Sequence, residues 1–406
     1  MTNYEAVNLP GWLNPLADDV NFEPPLPLVI RQDQIEKASQ RVLGESLTAQ
    51  RIVTASRLGV KLSGTSELSG VHVSGWGYSL PSAIAVLMPP DASIKESSEK
   101  RARRKLQEQL LANQSNWPDL ASVNESAFLL CADHKPPEYG LPHQLYLTHK
   151  PEGILVWEGV SALLEQFIKA VSPAMAPTWI EERSAMREAL ATIFAETFKN
   201  THDHARENVD GSYLETSVRA IYARYYPMQA VLENIALLPS GTVTQAERYV
   251  RSFAPRTVKQ GGRHPNLPKV SGFLELSILD SGPGMAAKWL RRPVHDLDPQ
   301  QQLEAILQCF GKGRTTTSSL GRGFGLWKVL NSLVGLRGFI SVRTNNIHAF
   351  RQFGYTSMTG QEELPGGQRI PKEQLYDWKK GLSTTPSSYP HVQGTVISFL
   401  LPMGQE

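Results

Sequence analysis

The stretch with the most chemistry in it runs from Gly311 to Lys328, GKGRTTTSSLGRGFGLWK. Gly321, Gly323 and Gly325 let the backbone pass close to a ligand, and from Phe324 the run FGLWKVLNSLVGL repeats its apolar residues at helical spacing. A helix start preceded by glycines offers unpaired backbone N–H groups and the positive end of the dipole to an anion. Upstream, Lys312 and Arg314 add charge, and Thr315, Thr316, Thr317, Ser318 and Ser319 add hydroxyls. The same glycine pattern also serves as plain punctuation before a helix, so a phosphate site needs other parts elsewhere in the chain.

Two other stretches offer such parts. Glu196, Asn200 and His204 lie four apart on a helix expected over Ile180 to Arg206, and four helical residues advance about 400°, so the three stack along one side. A carboxylate, a carboxamide and an imidazole one turn apart can line a polar pocket, although an exposed polar face has the same pattern. Asp280 closes the alternating run Phe273 to Leu279 and leads into Ser-Gly-Pro-Gly284-Met285. An acid at a strand end before G-P-G sets a carboxylate at the mouth of a pocket, and Gly282 and Gly284 allow a ligand to come close.

Composition narrows the partners. A net charge of +2 gives no global electrostatic argument for nucleic acid or membrane, so such a partner would need a local patch. The basic helix expected near 95–111, with Lys100, Arg101, Arg103, Arg104 and Lys105, is the only such patch, and neighbouring acids make a solvated face the stronger reading of it. Cys131 and Cys309 are far apart and form no metal-ligand or CxxC spacing, which fits a reducing compartment. With no apolar run near the roughly 18 residues that span a bilayer and no signal-like start, the expected location is cytoplasmic.

At 406 residues the chain has room for two or three domains. Residues 1–30 are proline-rich and acidic and suit an extended arm. Residues 31–175 read as a smaller, separate α/β unit, with strands expected at Ala127 to Ala132, Gln144 to Thr148 and Gly153 to Trp157 and a helix at Val160 to Val171. The segment Ser172 to Trp179, SPAMAPTW, marks the boundary. Residues 176–406 hold all three motif stretches, with insertions expected near 237–268 and 359–390 that are candidate partner surfaces.

In this order, E-x-x-x-N-x-x-x-H-A on a helix, D-x-G-x-G-M after a strand and a threonine-rich loop ending in G-x-G-x-G-L resemble the ATP-binding domain of the GHKL superfamily. That superfamily groups DNA gyrase, heat-shock chaperone ATPases, histidine kinases and mismatch-repair MutL proteins. The run GFGLWKVLNSLVGLRGFISVRT and the terminal GTVISFLLP are most similar to the histidine-kinase branch, and the resemblance covers roughly 180–406. It implies an α+β fold, a two-layer α/β sandwich of the Bergerat type, following the smaller α/β unit. It implies ATP and Mg²⁺, with Asn200 as the metal ligand and Glu196 as the carboxylate that orients or deprotonates the attacking group. Asp280 would accept a hydrogen bond from the adenine amine, beside Gly282, Gly284 and Met285. Lys312 to Leu320 would form a lid carrying Arg314 and Thr315, and Gly321, Gly323, Gly325 and Leu326 would contact phosphate, with Lys312 or Arg314 on the terminal phosphate. The chain departs from histidine kinases in having no helical hairpin with an acceptor histidine, and His202-Asp203 lies on the nucleotide helix itself. Three functions are therefore expected in this order: an ATPase whose lid closure switches contacts with its N-terminal unit or a partner, a kinase acting in trans on a partner's histidine or serine, and a non-catalytic ATP-sensing scaffold. A homodimer or a protein partner is expected in each.

Overall fold

The computed structural model describes residues 28–29, 40–58, 62–63, 79–88, 97–114, 126–147, 153–155, 157–172, 184–254, 269–313, 325–353, 361–363, 367 and 369–405. In chain order, the first part holds β1 (Leu28–Val29), α1 (Gly44–Arg57), β2 (Leu62–Ser63), α2 (Leu80–Leu87), α3 (Ser97–Asn113), β3 (Ser126–Ala132), α4 (Pro137–Gly140) and α5 (Trp157–Val171). The middle holds α6 (Ser184–His204), β4 (Val218–Pro227), α7 (Met228–Ala236), α8 (Gln245–Ser252), β5 (Lys269–Asp280), α9 (Met285–Leu290) and α10 (Pro299–Phe310). The last part holds α11 (Gly325–Leu336), β6 (Phe339–Asn345), β7 (Ile347–Gln352), β8 (Gln361–Glu363), β9 (Arg369–Pro371), β10 (Tyr376–Asp377) and β11 (Val392–Gln405).

A seven-stranded sheet in the order β10-β7-β6-β11-β5-β4-β3 carries the fold, and each neighbouring pair is antiparallel. Successive side chains of a strand face opposite ways. On β5, Leu274, Leu276 and Ile278 enter one core with α5, α6, α10 and α11, while Phe273 and Leu279 enter cores on the other face. The apolar stripe on α6 faces the first of these cores: Leu190, Ile193, Phe194 and Phe198 are buried and Met186 packs beside them. The second face is covered by α1, α2 and α3 at one end and by α7, α8 and the β10 region at the other. Helices thus lie on both faces of a mixed α/β architecture, three layers where two were expected.

The third layer corrects the reading of 31–175 as a separate unit. Strand β3 pairs with β4 from Ser126↔Arg224 to Ala132↔Val218, so a strand from before the expected boundary extends a sheet built after it. The physical reason is in its composition: SAFLLCA is apolar on both faces and needs a core on each. Helix α1 is fastened to the same sheet, Gln50 donating to the Arg343 carbonyl at 2.8 Å and Thr54 accepting from the Gln393 N–H at 2.9 Å. Of the expected boundary, residues 173–179 lie outside the described residues, as do nearly all of the expected arm at 1–30 and residues 255–268.

Both expected insertions are partly core. Helix α8 begins with a capping box at Thr244 and Glu247, buries Tyr249 and Val250, and holds Arg41 against Glu247 at 2.6 Å. In 359–390, strand β10 pairs with β7, and Tyr376, Trp378 and Tyr389 are buried. Gln144 to Thr148 and Gly153 to Trp157 form no named strand among their described residues, only the isolated bridge Tyr146↔Ile154. No helix among the described residues is long and apolar enough to cross a membrane.

Candidate functional site

Strand β5 ends at Asp280, between Arg219 of β4 and Thr395 of β11 in the register of the sheet. Its carboxylate is buried and takes backbone hydrogen bonds from Gly282, at 2.9 Å, and from Thr395. Burial pushes its pKa up to about 7, against the pull of those two N–H groups and of the Arg219 guanidinium. The group therefore holds a proton below about pH 7 and is an acceptor only above it.

The turn after Asp280 lies against the end of α6. A Cβ on Gly282 would stand 2.9 Å from the Ala205 Cα and 3.0 Å from its Cβ, so only glycine lets the two segments meet. Gly284 takes a φ of 90° with Asn345 packed against it, and Asn345 donates to the Pro283 carbonyl at 2.9 Å. The Met285 N–H is held by the Thr344 hydroxyl at 3.1 Å.

The first residue of α11 closes the arrangement. A Cβ on Gly325 would lie 2.9 Å from Glu196 Oε2 and 3.8 Å from Asn200 Nδ2. The N-terminus of α11 therefore sits over the carboxylate and carboxamide of α6, and the glycine before the apolar run sits where a backbone must approach two polar side chains. Glu196 Oε1 accepts from Lys328 Nζ at 2.8 Å. Leu326 is buried in the front core, so it anchors the helix rather than facing a ligand.

Of the sequence-derived site residues, Glu196, Asn200, Asp280, Gly282, Gly284, Met285 and Gly325 thus lie along one connected path from β5 across the end of α6 to the start of α11, and Leu326 does not contribute to it. Lys312 is displaced from it, its ammonium 5.1 Å over the Trp327 ring, with Lys372 at 4.3 Å from the same ring. Arg314, Thr315, Gly321 and Gly323 fall outside the described residues. His202 is engaged with Tyr146, Nδ1 to the phenolic oxygen at 2.9 Å, and burial, with Arg219 and Arg206 nearby, pushes its pKa down to about 4. That suits a packed neutral imidazole and not an acceptor of phosphate.

Sequence reasoning missed four contributors. Lys328 lies 132 residues from Glu196, and nothing in the sequence signals that pairing. Thr344 and Thr395, whose hydroxyls are 3.1 Å apart beside Asp280 and Met285, are brought together by the pairing of β6 with β11, which the sequence of neither strand states. Asn345 holds the 283–284 turn, and its Oδ1 is buried with no hydrogen-bond partner. Among the described residues no group of three or more His, Cys, Asp or Glu is arranged to hold a metal. Comparison of the chain with models of known protein families, with curated proteins and with solved structures finds no match to any of them.

Proposed function

We propose that the chain binds ATP in the manner of a GHKL ATPase and hydrolyses it. One observation carries the reading: Gly325 packs against Glu196 and Asn200 while Gly282 packs against Ala205, so three motifs spread over 130 residues of sequence meet on one surface in the order the resemblance requires. In this reading Asp280 accepts from the exocyclic amine of adenine, and Gly282 and Gly284 let the turn beside it close against Ala205 and Asn345. The N-terminus of α11 faces the phosphates, where its free N–H groups and dipole favour negative charge.

Mg²⁺ fits the residues present. The Asn200 carboxamide offers a hard oxygen ligand, and since no group of three or more His, Cys, Asp or Glu is arranged to hold a metal among the described residues, the ion would draw further ligands from phosphate oxygens and water. It would neutralise charge on the transferring phosphoryl group. The chain's own part is the remainder: Glu196 orients a water and takes its proton as that water attacks the terminal phosphorus, and the N–H groups of α11 receive the charge that shifts to the departing oxygen. Since the N-terminal residues form a layer of the same fold, the contacts that nucleotide switches are those with a partner or a second copy.

An ATP sensor that does not turn over is the second reading, and the ion pair between Glu196 and Lys328 favours it, because a carboxylate oxygen that already accepts from an ammonium is not open to a water. Steady-state hydrolysis with Mg²⁺ separates the two. An ATPase turns over as wild type and stops in Glu196→Gln with binding retained; a sensor binds equally well in both and releases no phosphate in either.

A further inference from the structure

Glu196 is flanked on two sides. One carboxylate oxygen faces the backbone of Gly325 and the other accepts from Lys328, three residues later on the first turn of the same helix. The Lys328 side chain is 52% exposed and that of Glu196 24%, so the pair sits at the solvent edge of the phosphate-binding helix end, where a four-carbon stem can swing. An ion pair this exposed is worth at most about 1 kcal/mol, so a group carrying more charge can take the ammonium from Glu196. Other lysines near this end are committed elsewhere: Lys312 and Lys372 to Trp327, Lys372 also to Asn331, and Lys199 to Asp203.

We propose that Lys328 is the residue that reads the terminal phosphate. Resting on the ATP reading above, the inference is that Lys328 holds Glu196 while the site lacks a third phosphate and moves to that phosphate when a triphosphate binds. One motion then does two things. It adds a charged contact that a diphosphate cannot make, and it releases the Glu196 carboxylate for the attacking water. The site thereby prefers ATP over ADP, and its base is free only when there is a phosphate to cleave.

The test is a titration of Mg-ATP and Mg-ADP into wild type, Lys328→Met, Lys328→Arg, Glu196→Gln and the double variant Lys328→Met/Glu196→Gln, with folding checked by thermal melting. The expected result is selective. Lys328→Met binds ATP about tenfold more weakly, a fold-change equivalent to about 1.4 kcal/mol, and ADP as wild type does; Lys328→Arg restores the preference. Glu196→Gln binds ATP several-fold more tightly than wild type, because its lysine no longer has to leave a carboxylate, and the double variant loses that gain. Equal weakening for both nucleotides in Lys328→Met would mean that the lysine only shapes the site, and unchanged affinity for both would mean that it never touches the phosphate; either result overturns the proposal while the ATP reading stands. If wild type binds neither nucleotide, both fall together.

Discussion

Glu275 and Asp280 lie five residues apart on β5, point to opposite faces of the sheet and meet opposite surroundings. Glu275 is fully buried and takes hydrogen bonds from three side chains: Ser46 at 2.9 Å, Tyr226 at 2.5 Å and Ser277 at 2.6 Å. Asp280 is buried as well, but the hydrogen bonds it receives come from backbone N–H groups that the turn and the sheet would place there in any case. Burial raises the pKa of both. The difference separates an acid whose side-chain partners are built for it from one without them: on the back face three hydroxyls are arranged for the carboxylate, and on the opposite face the carboxylate is held by backbone N–H groups, which is what the proposed role of Asp280 requires.

The back-face acids tie the N-terminal helices to the sheet. Glu45 of α1 accepts from Tyr222 at 2.8 Å and from the Leu80 N–H at 3.0 Å, while Glu275 reaches Ser46 of the same helix. Three of these contacts join residues more than 170 apart or link two N-terminal helices, which is why the expected separate unit is a layer of the common fold. Such networks stabilise when every member is satisfied and cost heavily when one is removed.

The contrast can be broken at either face. The largest effect expected is on the front: Glu196→Ala lowers turnover by about 10²- to 10⁴-fold, the range for losing a general base, with ATP still bound at least as tightly as by wild type and melting temperature near wild type. Next is the back: Glu275→Ala strands the Ser46, Tyr226 and Ser277 hydroxyls and costs about 3 kcal/mol in urea unfolding, with nucleotide affinity unchanged where the protein is folded. If Glu275→Ala weakened nucleotide binding in the folded protein, the two faces would be coupled and the distinction would fail.

A pH dependence sharpens it further. Between the ordinary aspartate value of about 4 and the value of about 7 in the folded chain, the native state keeps a proton on Asp280 that the unfolded state has released. Stability contributed by this group is therefore present below about pH 4 and lost as pH rises through about 7, and Asp280→Asn removes that part of the slope in denaturant melts run from pH 5 to 8. Adenine binding asks for the ionised acid, so affinity rises over the same window. The smallest effect is at Gly325→Ala. Its new Cβ meets the free end of the Glu196 side chain, which can move aside, so unfolding stability changes by less than about 1 kcal/mol while turnover falls because the carboxylate has been displaced.

Much of the front face was legible because its signals are local. Strand β5 ending at Asp280 reads from alternation, α6 from its apolar stripe, and the start of α11 from a glycine before a helical repeat. What stayed hidden is non-local. Register places Thr395 beside Asp280, and a strand's sequence does not state its register. Strand β3 reads as a strand, but its partner lies beyond a proline-rich segment that resembles a domain boundary. The polar contacts of Glu45 and Glu275 give no sequence signal, since an acid in an apolar run looks the same whether its partners are three residues or two hundred away. Helix α3 shows the same limit: Gln107 and Leu110 pack inward, and the pattern could not say against what.

The most direct test of the central claim is a calorimetric titration of Mg-ATP into the full chain, wild type beside Asp280→Asn, at pH 8 where the acid is ionised. The account predicts that wild type binds one ATP per chain and that Asp280→Asn, which replaces the acceptor by a group that also donates, binds at least about tenfold more weakly while remaining folded by thermal melting. Equal ATP affinity in the two proteins, or none in either, would contradict it.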